Sequence, residues 1–297
     1  MQKIKTAVIP AGGWGTRFLP STKSIPKEMF PLGGKPVILH VVEEAVASGI
    51  ENIIFVVSHN KQSIESFFSP NQEVEDYFLK LGKTKEVENL KKIYNLANFS
   101  YVYTKPPYGN GGALSAVRYM VKDEPFVLVW SDEMIISKTA PRIKQCIDTY
   151  YKYQKPVISA VEITDCKKRS CYGMAALKDI EGETTVKEIT NIVEKPAFGT
   201  EPSSYATHGA YILPPEVFEA LDRTTPDANG ELWLSDIINK MKEKTGLLAQ
   251  IITDGHYLDC GDPLSYLYSQ MDYFINYSDY PEEELEKLRT GVCKINF

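Results

Sequence analysis

A short apolar run, Ala7 to Ile9, leads directly into Gly12, Gly13 and Gly15, and Arg17 and Lys27 follow closely. Glycines after a strand let backbone N–H groups approach an anion with no side chain in the way. An arginine and a lysine add positive charge suited to a polyphosphate. The spacing excludes two common phosphate motifs. The dinucleotide fingerprint needs a third glycine opening a helix, and here Gly15 is followed by Thr16, Arg17 and Phe18. The P-loop needs a hydroxyl after Gly-Lys, and Pro36 stands after Lys35. What remains is either a tight turn needing positive φ or a polyphosphate cradle, and the two cations favour the cradle.

Carboxylates supply the second chemical signal. Asp132 follows an apolar run in Val-Trp-Ser-Asp-Glu-Met, and Asp259 precedes a glycine in Tyr-Leu-Asp-Cys-Gly-Asp-Pro. In open α/β sheets ligands gather at the carboxyl ends of strands, where an aspartate suits Mg²⁺ held jointly by carboxylate and substrate phosphate. A turn or helix N-cap is the competing reading of Asp132. Glu133 is adjacent and points elsewhere. Asp262 before Pro263 reads as the N-cap of the last helix. Glu194 and Lys195 end a third extended stretch, Val-Glu-Lys-Pro, where a carboxylate suits hydroxyl donors and an ammonium suits a phosphate; an exposed charge pair before a proline turn is the alternative.

Ala11-Gly12-Gly13-x-Gly15-Thr16-Arg17 followed by Pro26-Lys27-Glu28-Met29 resembles the sugar-1-phosphate nucleotidylyltransferases, and within them the bacterial UTP–glucose-1-phosphate uridylyltransferases. The likeness runs from Lys5 to about Tyr280. It implies a Rossmann-like nucleotidyltransferase fold and a Mg²⁺-dependent transfer of a nucleotidyl group from an NTP to a sugar 1-phosphate. Arg17 is expected near the β- and γ-phosphates and Lys27 near the α-phosphate, with Ala11, Gly12, Gly13, Gly15, Thr16 and Glu28 in the nucleotide site. Glu28 either orients Lys27 or pairs with it. Tyr108-Gly109-Asn110-Gly111-Gly112 matches the family's base loop, with Gly109 at the base. Asp132 and Asp259 are expected to share the metal. Lys195 is expected on the sugar phosphate, Glu194 on sugar hydroxyls, and Gly173, after Tyr172, against the sugar.

Four places depart from the family pattern. The signature opens Ala-Gly-Gly where uridylyltransferases usually have Ala-Ala-Gly. Thr104 stands where a glutamine usually reads the pyrimidine edge, and one hydroxyl cannot reproduce an amide's paired pattern. Trp130-Ser131 and Thr207-His208 also differ. UTP with glucose 1-phosphate is the first reading. The rivals are the same chemistry with dTTP, CTP or galactose 1-phosphate, and a non-catalytic sugar-nucleotide sensor on the same fold.

The elements that must hold these residues alternate between strand and helix patterns, which predicts an α/β fold with a mixed, mostly parallel central sheet flanked by helices. Strands are expected at Thr6 to Pro10, Ile53 to Val57, Tyr101 to Tyr103, Phe126 to Trp130 and Val157 to Ile163. A helix with Val37, Ile38, Val41, Val42, Ala45 and Val46 on one face is closed by Gly49. Another helix is expected from Leu114 to Met120. The polar stretch 69–100 predicts two short helices outside the sheet, an insertion resembling the uridylyltransferase branch. The second half is more β-rich, a sugar-binding elaboration with strands at Met174 to Leu177, Val186 to Val193, His208 to Leu213 and Leu248 to Thr253. Helices are expected at Pro214 to Leu221, Glu231 to Lys244 and Pro263 to Ile275. One domain over 1–280 is expected, with an NTP half over about 1–150, a sugar-phosphate half over about 151–280, and a polar tail at 281–297.

Of 297 residues 43% are hydrophobic, enough for a large core, and the net charge of −6 argues against a nucleic-acid partner. No stretch of 18 apolar residues exists, so no membrane partner is expected. The five cysteines, Cys146, Cys166, Cys171, Cys260 and Cys293, match no Cys-x-x-Cys pattern and read as free thiols in the cytoplasm. The resemblance implies a homodimer or homotetramer acting on small molecules.

Overall fold

The computed structural model describes residues 3–104, 109–121, 123–228, 230–283, 285–286 and 289–290. Lys105, Tyr108, Cys293 and most of the expected tail lie outside these residues. In chain order the strands are β1 (Thr6–Pro10), β2 (Pro31–Leu32), β3 (Lys35–Pro36), β4 (Asn52–Val57), β5 (Asn98–Tyr103), β6 (Phe126–Val129), β7 (Glu133–Ser137), β8 (Val157–Glu162), β9 (Gly173–Asp179), β10 (Val186–Glu194), β11 (Tyr205–Leu213), β12 (Leu248–Ile251) and β13 (Gly255–Asp259). The helices are α1 (Val37–Ala47), α2 (Gln62–Phe67), α3 (Gln72–Lys80), α4 (Thr84–Tyr94), α5 (Gly112–Val121), α6 (Arg142–Tyr153), α7 (Glu216–Asp222), α8 (Leu234–Thr245) and α9 (Pro263–Tyr277).

Among the described residues one large sheet runs in the order β5-β4-β1-β6-β11-β8-β12-β10-β9. β1 pairs in parallel with β4 and β6, and β4 with β5. β11 enters antiparallel between β6 and β8, and β10 antiparallel between β12 and β9. The sheet is therefore mixed, with β10 and β11 running against the other strands.

Period-two alternation explains why both faces are covered. On β1, Val8 joins a core with Leu114 and Val117 of α5 and Ile237 of α8. Its neighbours Ala7 and Ile9 face the opposite core, with Ile38, Val41 and Val42 of α1 and Ile143 of α6. α3 and α4 pack on one another between β4 and β5 in the chain. Among the described residues no helix is long and apolar enough to cross a membrane.

Three differences from the sequence reading bear on the site. β7 and α6 carry little signal and go unread in the sequence, and β13 is read only as the extended stretch ending at Asp259; the two strands form the pair β7–β13. It joins Asp259 opposite Glu133. α8 starts at Leu234 rather than Glu231, with Trp233 as an extended N-cap residue. Leu232 cannot join the helix because its carbonyl accepts the Gly111 N–H at 2.8 Å. The strand expected through Trp130 stops at Val129.

Candidate active site

The phosphate-loop segment is a string of short turns rather than a helix. Thr16–Phe18 forms one 3-10 turn, and Phe18 is buried edge-on against Phe30 and Tyr266, with ring centroids 5.1 and 6.0 Å away. Burying Phe18 leaves Thr16 and Arg17 on the solvent side. Tyr266 belongs to α9 and donates to the Pro31 carbonyl at 2.5 Å, so the last helix braces the loop. α9 is itself fixed by Asp262, whose carboxylate accepts from the Leu264 and Ser265 N–H groups, with Pro263 in the first turn.

Lys27 and Glu28 share the next turn, Lys27–Met29, and diverge. Lys27 reaches Asp132, and both line a cavity of about 410 Å³. Glu28 turns inward and accepts from Lys61 Nζ at 2.7 Å, with side chains 1% and 2% exposed. The expected Glu28–Lys27 pair is therefore not made. Sequence reasoning missed Lys61, because a lysine in a polar stretch gives no sign of burial.

The cavity is lined by Gly12, Gly13, Trp14, Lys27, Glu28, Thr104, Gly109, Asn110, Trp130, Ser131, Asp132 and Glu231, among others. Ala11 is buried behind it, its N–H donating to the Val56 carbonyl at 2.8 Å. Gly109 is required at its position. Its φ is +66°, and a Cβ there would lie 2.4 Å from the Leu232 carbonyl oxygen. Asn110 continues the clasp, its side chain accepting the Leu234 N–H at 2.7 Å. The base loop is thus fastened to the start of α8. Gly15, Thr16, Arg17, Gly173, Glu194, Lys195 and Asp259 do not line this cavity.

The two expected metal aspartates converge. Cys260 N–H donates to the Asp132 carbonyl at 2.8 Å, extending the β7–β13 ladder. Gly261 N–H donates to Asp259 Oδ1 at 2.8 Å. A Cβ on Gly261 would sit 3.1 Å from Asp259 Oδ1 and 3.3 Å from Asp132 Oδ2, so the carboxylates close around this glycine. Gly261, the glycine of the Asp-Cys-Gly spacing, is a further residue of this corner. Tyr172 OH donates to Asp259 Oδ2 at 3.1 Å.

The charges are unevenly satisfied. Burial pushes the Asp132 carboxyl up, but Lys27, with Arg17 adding, pulls it below the usual range. Burial and the charges of Asp132 and Glu133 push the Asp259 carboxyl up, against the Gly261 N–H and the Tyr172 hydroxyl. Two converging carboxylates, of which Asp132 is paired with a lysine, fit a divalent cation. Among the described residues no group of three or more His, Cys, Asp or Glu could hold a metal ion alone. Substrate phosphates would have to complete the shell, the usual Mg²⁺ arrangement.

Glu133 points away from Asp132 into the protein. It meets Arg142 at 3.5 Å, His208 Nδ1 at 2.9 Å and the Tyr257 hydroxyl at 3.1 Å. Arg142 is fully buried and also grips Glu44 at 2.9 Å. An irregularity between Thr207 and Tyr211 in β11 aims His208 at Glu133. These buried charges back β7 and β13, and apart from His208 the sequence gives no signal for them.

Gly173, Glu194 and Lys195 come together where β9 and β10 pair, Glu194 opposite Gly173. A Cβ on Gly173 would lie 3.1 Å from Glu194 Oε2, so the carboxylate closes over the glycine. Burial pushes the Glu194 carboxyl up, opposed by the charge of Lys195. Lys195 N–H donates to the Tyr172 carbonyl at 3.1 Å. Tyr172 therefore joins this corner to Asp259.

A mixed α/β sheet with a glycine loop, two cations and paired aspartates defines a nucleotide-handling enzyme fold. Comparison makes the class specific. The Nucleotidyl transferase family model matches residues 6–274, and the chain belongs to that family. It is 36% identical over 273 residues to the UTP–glucose-1-phosphate uridylyltransferase of Bacillus subtilis (strain 168), covering 92% of each chain. It superposes on UTP-bound UGPase from Acinetobacter baumannii with a TM-score of 0.87 at 29% identity, over 99% of this chain and 100% of that one. It superposes on UDP-glucose pyrophosphorylase complexed with UDP-glucose with a TM-score of 0.81 at 34% identity, over 92% and 99%.

Proposed function

We propose that this chain is an enzyme that transfers a uridylyl group from UTP to glucose 1-phosphate, releasing UDP-glucose and pyrophosphate. The convergence of Asp259 on Asp132, which pairs with Lys27 in the lining of a glycine-lined cavity, is the observation that carries this reading. The similarity to uridylyltransferases along almost the whole chain supports UTP and glucose 1-phosphate as the substrates.

In this reading an oxygen of the sugar phosphate attacks the α-phosphorus of UTP in line. A new P–O bond forms as the bond to the β-phosphate oxygen breaks, and the electron pair leaves with pyrophosphate. The protein's work is positioning and electrostatics. The backbone around Gly12 and Gly13 and the Arg17 guanidinium hold the β- and γ-phosphates. Lys27 steadies the α-phosphate, leaving Asp132 as it does so. Lys195 holds the incoming sugar phosphate, and Glu194 and the Gly173 backbone hold the sugar. Asp132 and Asp259 would hold Mg²⁺, which when bound offsets charge on the α-phosphate.

The test is pyrophosphate release with Mg²⁺ over a grid of UTP, dTTP, CTP and ATP against glucose 1-phosphate and galactose 1-phosphate. A dominant signal for UTP with glucose 1-phosphate is expected. Strong activity in another cell keeps the mechanism and moves the substrate. Silence across the grid with nucleotide binding intact would make the sensor reading the better one.

A further inference from the structure

Lys195 stands in an unusual conformation on an unusual support. Its φ is +42°, in the left-handed region that a side chain with a Cβ rarely adopts. That backbone sends its ammonium over the ring of Trp233, 4.9 Å from the centroid. The ring is held at its edge: its Nε1–H donates to Asp227 Oδ2 at 3.0 Å, and Asp227 Oδ1 accepts the Glu231 N–H at 2.9 Å. Among the described residues no carboxylate forms a salt bridge with Lys195, although Glu194 is its neighbour in the chain.

We infer that Trp233 is a positioning residue for Lys195, holding its ammonium ready for the sugar phosphate. The inference rests on the reading of Lys195 as the phosphate-holding lysine. A π-face attracts an ammonium without taking any of its N–H donors as a carboxylate oxygen would. All three donors therefore stay available to a phosphate. The competing partner is Glu194, whose carboxyl feels the charge of Lys195. Ion pairing between the two would occupy the lysine meant for phosphate and the carboxylate meant for sugar hydroxyls. The indole keeps them apart, and the strained backbone at Lys195 is consistent with a side chain held by what it must reach.

The test is steady-state kinetics of Trp233→Leu, Trp233→Phe, Lys195→Gln and the Lys195→Gln/Trp233→Leu double variant, varying each substrate in turn. Trp233→Leu is expected to raise KM for glucose 1-phosphate about three- to fivefold, the scale of one partly exposed cation–π contact. KM for UTP should stay level, and Trp233→Phe should restore most of the loss. In the Lys195→Gln background Trp233→Leu should add nothing. Equal rises in both KM values would mean that Trp233 merely orders the loop that clasps Gly111, and would overturn the inference. So would an effect of Trp233→Leu that persists without Lys195. A weakened Lys195→Gln beside a normal Trp233→Leu sinks the inference alone. An unchanged Lys195→Gln sinks the reading of Lys195 itself.

Discussion

Adjacent residues of one turn, Lys27 and Glu28, make two ion pairs that differ in everything except their chemistry. The Lys27–Asp132 pair lines the cavity, with side chains 18% and 24% exposed. The Glu28–Lys61 pair lies beneath it, almost fully excluded from water. A pair that water and phosphate can reach is exchangeable: Lys27 can leave Asp132 for a substrate, and Asp132 can take a cation. A pair sealed from water cannot exchange, because separating it strands a charge in a poor solvent. The outer pair is thus placed for function. The inner pair holds the turn from which Lys27 projects.

The largest effect should come from breaking the inner pair on one side. Glu28→Gln leaves Lys61 without its counter-charge and should cost about 3–5 kcal/mol of folding stability. Denaturant unfolding measures this, and a loss below about 1 kcal/mol would show that the inner pair is not sealed. Replacing both partners with apolar residues, Glu28→Leu with Lys61→Met, should recover much of the loss.

Breaking the outer group should give the converse pattern. Asp132→Asn and Asp259→Asn should each lower kcat roughly a hundredfold or more, the scale of removing one strong electrostatic stabiliser. Unfolding midpoints should move little. Near-normal turnover in both variants would remove the metal assignment. A smaller step sharpens the same point: Tyr172→Phe deletes the hydroxyl on Asp259. Groups that orient a metal ligand typically contribute about 10–100-fold in metal affinity. The Mg²⁺ concentration for half-activation should therefore rise by at least about tenfold. An unchanged requirement would mean that Tyr172 does not orient Asp259.

The contrast also explains what could be read from sequence. Gly12, Gly13 and Asp132 follow short apolar strands whose β-branched residues are plain, and ligand groups on such strand ends are placed by chain order alone; Lys27, in a 3-10 turn, was legible only from its closeness to the glycine run and from the family resemblance. The helix face of α1 was legible for the same reason. Lys61, Arg142 and Glu44 were not, since a buried charged side chain carries the same letter as a solvated one, and only the tertiary partner removes it from water. β7 was missed, and β13 was read only as the extended stretch ending at Asp259, because neither shows the strict alternation of a strand with one wet face. Glu133 is the instructive case. Its adjacency to Asp132 suggested that it would point elsewhere, but nothing local revealed the arginine, histidine and tyrosine that receive it.

A third kind of carboxylate completes the comparison and gives the smallest effect. Asp254 is only partly buried yet accepts from the Thr139 N–H at 2.9 Å, the Thr139 hydroxyl at 2.6 Å and the Ser137 hydroxyl at 2.9 Å. The Thr139 hydroxyl leads the donors that hold its pKa down to about 2. Its partners are neutral donors at the far end of β7, so this anion needs no counter-charge to be held. The unfolded chain's aspartate titrates near 3.9. Because the folded value is lower, the carboxylate's contribution is complete above pH ~4 and is lost as pH falls from ~4 toward ~2. Solvent screening keeps it small. Stability measured across that window should fall more steeply in the native chain than in Asp254→Asn, and the two curves should run parallel above pH ~5. Parallel curves throughout would mean that these hydroxyls do not prefer the anion. Asp254 would then differ from the two ion pairs in having no electrostatic role at all.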